Sequence, residues 1–247
     1  MSARRGSITD ARPALRQRQR RLRRRRLLPV LVLLLVLGLA GAGTWLVGWS
    51  SVLALTRVEV TGTSVLTAEQ VVAAADAPVG RPLARVDTDA VAARVAGLAP
   101  VREVEVSRGW PSTLRVEVTE RTPVLATGSG RQLTLVDAEG VGYTTVAELP
   151  EGVVRATLAE EVPAEDRHEL LVDLATVVRA LPAPLLEQVE RVGTASADTI
   201  ELHLAEDRVV EWGSADDSAL KAEVAVVLLE QEGEVYNVTV PSHPTVR

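Results

Sequence analysis

From Leu27 to Val47 the chain carries no ionisable side chain, and that single run constrains the rest of the molecule. Its twenty-one residues, wound as a helix at about 1.5 Å each, reach about 31 Å, the thickness of a bilayer's hydrocarbon. Eleven arginines and one acid, Asp10, occupy the stretch from Met1 to Arg26 just before it. Basic residues flanking a span stay on the cytoplasmic side. The reading is therefore a cytoplasmic tail over 1–26, a single transmembrane helix over 27–49 with Trp45 and Trp49 as interfacial anchors, a linker over 50–55, and all that follows outside the cytoplasm. A cleaved signal peptide fits less well. Its apolar core runs about 7 to 15 residues and ends in a small-residue motif, whereas Ala40, Gly41, Ala42 and Gly43 lie inside this run.

Setting that tail aside from the chain's 27 basic and 33 acidic residues leaves 16 against 32, so an overall charge of −6 conceals an outward body of about −16. Such a body does not bind nucleic acid, and the position of the arginines beside a span makes topology a sufficient explanation for them. Cysteine is absent. The outward part is held by packed cores instead of disulfides, and about 198 residues suffice for one or two domains.

Over 56–122 the local signals predict a β-α-α-β-β unit. Val58 and Val60 alternate with Arg57 and Glu59 as a half-buried strand ended by Gly62. Thr67 and Gln70 form a capping box, with Leu66 placed to staple onto Val71, so a helix runs from about Ala68 to Ala75. A second helix starts near Asp87 with Val91, Val95 and Leu98 on one face. A hairpin follows, Val104 and Val106 facing one side of its first strand and Leu114, Val116 and Val118 one side of its second, with Gly109 to Ser112 as the connection. Arg102, Glu103, Glu105, Arg115 and Glu117 fall on the opposite, solvated face.

Over 123–241 a second mixed α/β domain is expected, with 242–247 as a tail. Leu133, Leu135 and Val136 lead into the turn Asp137 to Gly140, and Val141 and Tyr143 continue as a hairpin. Pro163 opens a helix with Leu170, Leu171, Leu174, Val177, Val178 and Leu181 along one stripe. Ile200, Leu202 and Leu204 mark a strand, and Val209 to Gly213 another. A last helix is expected to bury Leu220, Val224, Val227 and Leu228, and a final strand runs from about Val235 to Val240. Trp212 is read as core, while Trp110 is expected to be exposed at its hairpin tip, against the junction with the second domain.

No catalytic pattern survives a test of spacing. His168, His203 and His243 lie far apart and form no zinc motif. Ser129 between Gly128 and Gly130 reads as a hairpin turn, not a nucleophile elbow. Glu160, Glu161, Glu165 and Asp166 read as a solvated helix entrance. No phosphate-binding loop occurs. The expectation is a protein with no catalytic residue, no metal and no cofactor.

The hairpin from Val104 to Leu114, with its Arg-x-Trp-Pro-x-Thr-Leu turn, and the closing Glu120-Arg121-Thr122-Pro123-Val124 resemble the POTRA domain of the FtsQ/DivIB cell-division family. Val210-Glu211-Trp212-Gly213, Lys221 at a helix start, Val226 to Leu229, and Val238-Thr239-Val240-Pro241 are similar to that family's β-domain. The likeness is weakest from Ala147 to Asp198. One lysine beside 26 arginines points to a high-GC genome, and with the resemblance to an actinobacterium. The resemblance implies an α+β fold, and a non-enzymatic single-pass scaffold of the divisome at the septal cell membrane. It would bind FtsB/DivIC-like and FtsL-like proteins, and through them the septal synthase complex. The implied contact residues are Tyr236, Asn237, Val238, Thr239 and Val240, with Leu228 and Leu229 in support and Tyr236 as anchor on a candidate sheet edge, while strand alternation alone reads Tyr236 and Val238 equally well as core. Asn237 stands where the family commonly has aspartate. The rival from another class is a POTRA-type chaperone or transport module that binds extended polypeptides by strand addition.

Overall fold

A computed structural model describes residues 29–45, 48 and 51–247. Residues 29–45 and 48 are helical. Among the described residues no helix is long and apolar enough to cross a membrane. The basic tail, Leu27, Leu28 and residues 46, 47 and 49 of the expected span lie outside the described residues.

The first domain contains β1 (Arg57–Thr61), α1 (Ala68–Ala75), α2 (Thr88–Ala96), β2 (Val101–Gly109) and β3 (Thr113–Glu120). The capping box forms: Gln70 N–H donates to the Thr67 hydroxyl and the Gln70 side chain accepts from Thr67 N–H. Asp87 caps α2 through Ala90 N–H at 3.0 Å. β3 lies in the middle of the sheet, parallel to β1 and antiparallel to β2. The two helices cover one face and bury Val71, Ala75, Val91 and Val95 against Leu114, Val116 and Val118. Gly62 makes the exit from β1 possible, because at φ +84° a Cβ there would lie 2.1 Å from the Val118 carbonyl. β1 and β3 start at the end where the chain arrives from Thr56, and β3 carries it about 26 Å away, at about 3.3 Å per residue. Trp110 therefore sits at the end remote from the second domain, not against the junction as expected.

The connection between domains is short and braced. Arg121 donates its backbone N–H to Pro100 O at 2.8 Å and pairs its guanidinium with Asp137 at 2.5 Å. Asp137, buried at the β-turn that follows, also accepts from the N–H groups of Glu139 and Val141 at 2.9 Å. Arg102 of β2 pairs with Glu139 across the same junction.

Beyond it lie β4 (Pro123–Ser129), β5 (Gln132–Asp137), β6 (Gly142–Val146), β7 (Val154–Leu158), α3 (Arg167–Ala180), α4 (Ala183–Leu186), β8 (Val189–Thr194), β9 (Ile200–Leu204), β10 (Val209–Gly213), α5 (Ser218–Leu228), β11 (Val235–Asn237) and β12 (Thr245–Val246). They form one mixed sheet in the order β12-β11-β10-β9-β8-β7-β4-β5-β6. The helices α3 and α5 pack on the face that presents Leu125, Ala156, Val192, Leu202, Val210 and Tyr236. Ser129 lies at the β4–β5 turn. The α3 helix begins at Arg167, four residues after Pro163, and buries Leu170, Leu174, Val177 and Val178.

The last helix departs from its expected face. α5 buries Ser218, Lys221, Ala222, Ala225 and Leu228, and leaves Leu220 51% and Val227 63% exposed. The reason is polar. Trp212 is fully buried and its indole N–H donates to the Ser218 hydroxyl at 3.1 Å, which in turn donates to Ala215 O at 2.7 Å. Lys221, one turn on, donates from Nζ to Ser214 O at 2.8 Å. Burial lowers the Lys221 pKa, opposed by the charges of Asp216, Asp217 and Asp198. Satisfying the 214–217 turn and the indole thus sets the rotation of α5 against its hydrophobic periodicity.

Two outcomes follow. Lys221→Ala should cost about 2–4 kcal/mol in denaturant melts, from a lost buried stem and an unpaired carbonyl, and Lys221→Met distinctly less. The Glu120 carboxylate accepts from Ser64 Oγ at 2.6 Å and from Val65 and Leu66 N–H at 2.8 Å. Burial opposes its charge, but these bonds outweigh burial and hold its pKa below the ordinary value. Its contribution is therefore complete above about pH 4.3 and lost as pH falls through the lower folded value. Glu120→Gln should lower the melting temperature at neutral pH, and the gap to the parent should close below about pH 4.

Candidate partner-binding edge

Seven residues at the end of the chain are expected to form one contact surface, and the fold divides them. Tyr236 is 1% exposed; its ring lies in the core and its hydroxyl donates to Gln231 O at 2.9 Å and Gly233 O at 2.8 Å. Val238 and Leu228 are also buried, and Leu229 is half-buried. Thr239 and Val240 are exposed, Val240 by 53%, and Asn237 is half-buried. The side chains alternate across the sheet, so the apolar members of the set fill the core face.

The final strand is also not the edge. β11 ends at Asn237 and is flanked on one side by β10, in parallel, and on the other by β12, antiparallel. Thr245 and Val246, expected in a tail, are β12 itself. Arg247 N–H donates to Val235 O at 2.9 Å, and Arg247 O accepts from Glu234 N–H at 2.8 Å and Val235 N–H at 3.0 Å. Residues 235 and 247 are thus a hydrogen-bonded pair, which by antiparallel alternation turns the N–H and C=O of Val246 outward, away from β11.

A polar clasp fastens this segment on the outer face. Glu211 of β10 stands in register with Asn237 of β11. The Asn237 amide donates to one Glu211 oxygen, and Arg247 Nη2 donates to the other at 2.8 Å. The Asn237 carbonyl oxygen accepts from Thr239 N–H at 3.1 Å, turning the chain out of the strand. An aspartate at 237 would set two carboxylates side by side, so the amide matches the glutamate opposite it. On the next cross-strand row His203 lies beside Val209, 3.2 Å from Arg191 Nη2 and 3.5 Å from Glu201. Burial and then Arg191 lower its pKa, against the pull of Glu201, so it is neutral at neutral pH.

Two close approaches complete the geometry. At Gly233 a Cβ would fall 2.3 Å from Val246 Cγ1, and at Gly213, φ +78°, it would fall 2.7 Å from Thr239 Cγ2. Sequence context marks Glu211 only as part of the Val210 to Gly213 strand and does not reveal the clasp; a polar residue on an alternating strand signals only an outward position, and its partners lie 26 and 36 positions away. Among the described residues no group of three or more His, Asp or Glu is placed to hold a metal ion.

The chain is similar to known proteins. Residues 53–121 match the POTRA domain, FtsQ-type. The chain is 40% identical over 204 residues to the cell division protein FtsQ of Streptomyces griseus, covering 80% of this chain and 98% of that relative. Identity to the cell division protein FtsQ of Streptomyces coelicolor is 37% over 217 residues, 83% of this chain and 82% of the relative. To that of Mycolicibacterium smegmatis it is 35% over 202 residues, 82% and 60%. These relatives are actinobacterial, as the arginine bias suggested.

Gly233→Ala should push Val246 off its seat and open the clasp. Amide exchange at Val235 and Arg247 should rise at least about tenfold while global stability falls by about 1–2 kcal/mol.

Proposed function

This chain belongs to the FtsQ family of cell division proteins, and from that premise we propose that it is a bitopic scaffold that holds FtsB/DivIC-like and FtsL-like proteins at the septum. Its role is in cell division and not in catalysis. In this reading the apolar run 27–49 spans the membrane once, the arginine tail stays in the cytoplasm, and both domains work outside, where the partners link them to the septal synthase complex.

The observation that carries the reading is the end of the nine-stranded sheet at β12. A sheet edge with outward N–H and C=O groups accepts an extended partner by strand addition, which gives affinity through the backbone and specificity through neighbouring side chains. Val246 supplies the backbone groups, and Thr239 and Val240 supply exposed side chains on the loop between β11 and β12. Tyr236, Val238 and Leu228 support the edge from the core and are not contact side chains in this reading. Asn237 holds the loop in place through Glu211 and Thr239.

The test is copurification of the FtsB-like and FtsL-like proteins with the full-length chain from its host. Val246→Pro removes the outward N–H, which an edge strand tolerates, and Val240→Asp places a charge on the exposed loop. Each should reduce recovered partner about tenfold, Val240→Asp with an unchanged thermal melt and Val246→Pro, which also trims a side chain packed against the core, with a melt lowered only by the cost of that packing. Undiminished recovery with both variants would sink the edge as the binding site. Tyr236→Asp is the wrong probe, since a charge at a 1% exposed position unfolds the sheet.

A further inference from the structure

The end of the first domain nearest the apolar helix carries a surface that the scaffold reading leaves unused. Three separate segments meet there. Leu55 N–H donates to Arg81 O at 2.8 Å, Gly80 N–H donates to Leu55 O at 2.8 Å, and Thr56 N–H donates to Ser112 O at 2.9 Å. Ala54 and Pro82 form an isolated bridge. These bonds gather residues 52–56, 78–82 and 110–113 at the start of β1 and β3. Each segment exposes one large apolar side chain within a few residues of its bond: Val52 is 72% exposed, Val79 65% and Trp110 53%.

Charge separates at the same place. Residues 51–58, 77–86 and 107–115 contain Arg57, Arg81, Arg85, Arg108 and Arg115 and no acid. The outward body as a whole carries twice as many acids as bases. Arg115 pairs with Glu59 at 3.7 Å, and the excess of arginine that remains at this end, with Arg57 and Arg81 in it, opposes the general field of the acidic body. Arg108 is held in place by donating to Leu83 O at 3.2 Å and Val86 O at 2.6 Å, which fixes the hairpin carrying Trp110 against the 3₁₀ turn at Leu83–Arg85.

We propose that this end of the first domain rests on the outer surface of the bilayer, with Trp110, Val79 and Val52 entering the interfacial layer and Arg57 and Arg81 facing anionic headgroups. The inference rests on the span proposed above. Val52 is seven residues past Trp45, the last residue of the described run 29–45, and so at most about 25 Å from it. A tryptophan body flanked by aliphatic tips and arginine is the composition that interfacial layers accept, and each surface basic residue adds to attraction by an anionic leaflet. The occupant is a lipid surface and not a protein because the chain itself delivers this end to the membrane, and because its charge matches anionic headgroups. The contact would fix the tilt of the first domain and, through the braced junction, the height of the second.

The full-length chain lacks cysteine, so a single Val79→Cys carries an environment-sensitive fluorophore at one known place. Val65→Cys, 76% exposed just past β1 at the opposite end of the same domain, is the control. Both are reconstituted into vesicles of phosphatidylcholine with about one third phosphatidylglycerol, and quenched by headgroup spin-labelled lipid. The label at 79 should be quenched at least about threefold more than at 65. Adding Arg81→Glu should reduce the fraction in contact at least about fivefold, since it removes one basic residue from an anionic surface and adds an acid. Equal quenching at 79 and 65 in chain that floats with the vesicles would overturn the contact while leaving the span standing. Chain that fails to float would overturn the span and this contact together. Quenching at 79 indifferent to Arg81→Glu would overturn the anionic headgroup as the partner.

Discussion

One buried carboxylate holds the two domains in their relation. Asp137 is 4% exposed, and it accepts from the Arg121 guanidinium and from the N–H groups of Glu139 and Val141. Breaking a buried, hydrogen-bonded ion pair from one side leaves a charge without compensation, so the arrangement resists any rotation that parts Arg121 from Asp137. Only Arg121 and Thr122 connect β3 to β4, and Arg121 is also tied to Pro100. A short connection with both of its polar ends satisfied behaves as a bracket and not as a linker. The first domain's central strand thus continues mechanically into the second domain's sheet.

From that bracket the sheet spreads sideways. Six steps separate β4 from β12, about 29 Å at the spacing of neighbouring strands. The clasped edge is consequently far from the junction, and the apolar tip of the first domain is far from it in the other direction, one strand length away. The parallel pairs β4–β7, β7–β8 and β10–β11 require crossovers, and the helices α3 and α5 supply those that bury the sheet. The support of this edge therefore depends on α5, whose rotation is set by the needs of the Trp212 indole and the 214–217 turn.

The first domain was legible in the sequence because its determinants are local. Thr67 with Gln70, Asp87 with Ala90, and the alternation from Val104 to Val118 lie within a few residues of what they determine. Ile200–Leu204 was legible for the same reason. Elements over 147–198 were less so, since β7 and β8 pair with strands brought together only by the fold. The errors are instructive where polar groups outrank periodicity. Leu220 and Val227 extend the apolar stripe of Val224 and Leu228, yet Ser218 and Lys221 take the inner face in their place because buried carbonyls and an indole need donors and acceptors there. The last strand was read as an edge because nothing in Thr245, Val246 and Arg247 announces a strand. Their register comes from Glu211, 36 positions before Arg247, and from the absence of a side chain at Gly233.

The loop from Val238 to Pro244 that joins β11 to β12 makes the chain its own ligand. A segment tethered by so short a loop competes at an effective concentration of about millimolar for the groups it covers. Any stray extended polypeptide would have to exceed that before it paired with β11. The strand that bears Tyr236 is in this way insulated from indiscriminate association, and in the proposed reading the docking problem moves outward by one strand to β12, where little but a matched partner gains enough contact to stay.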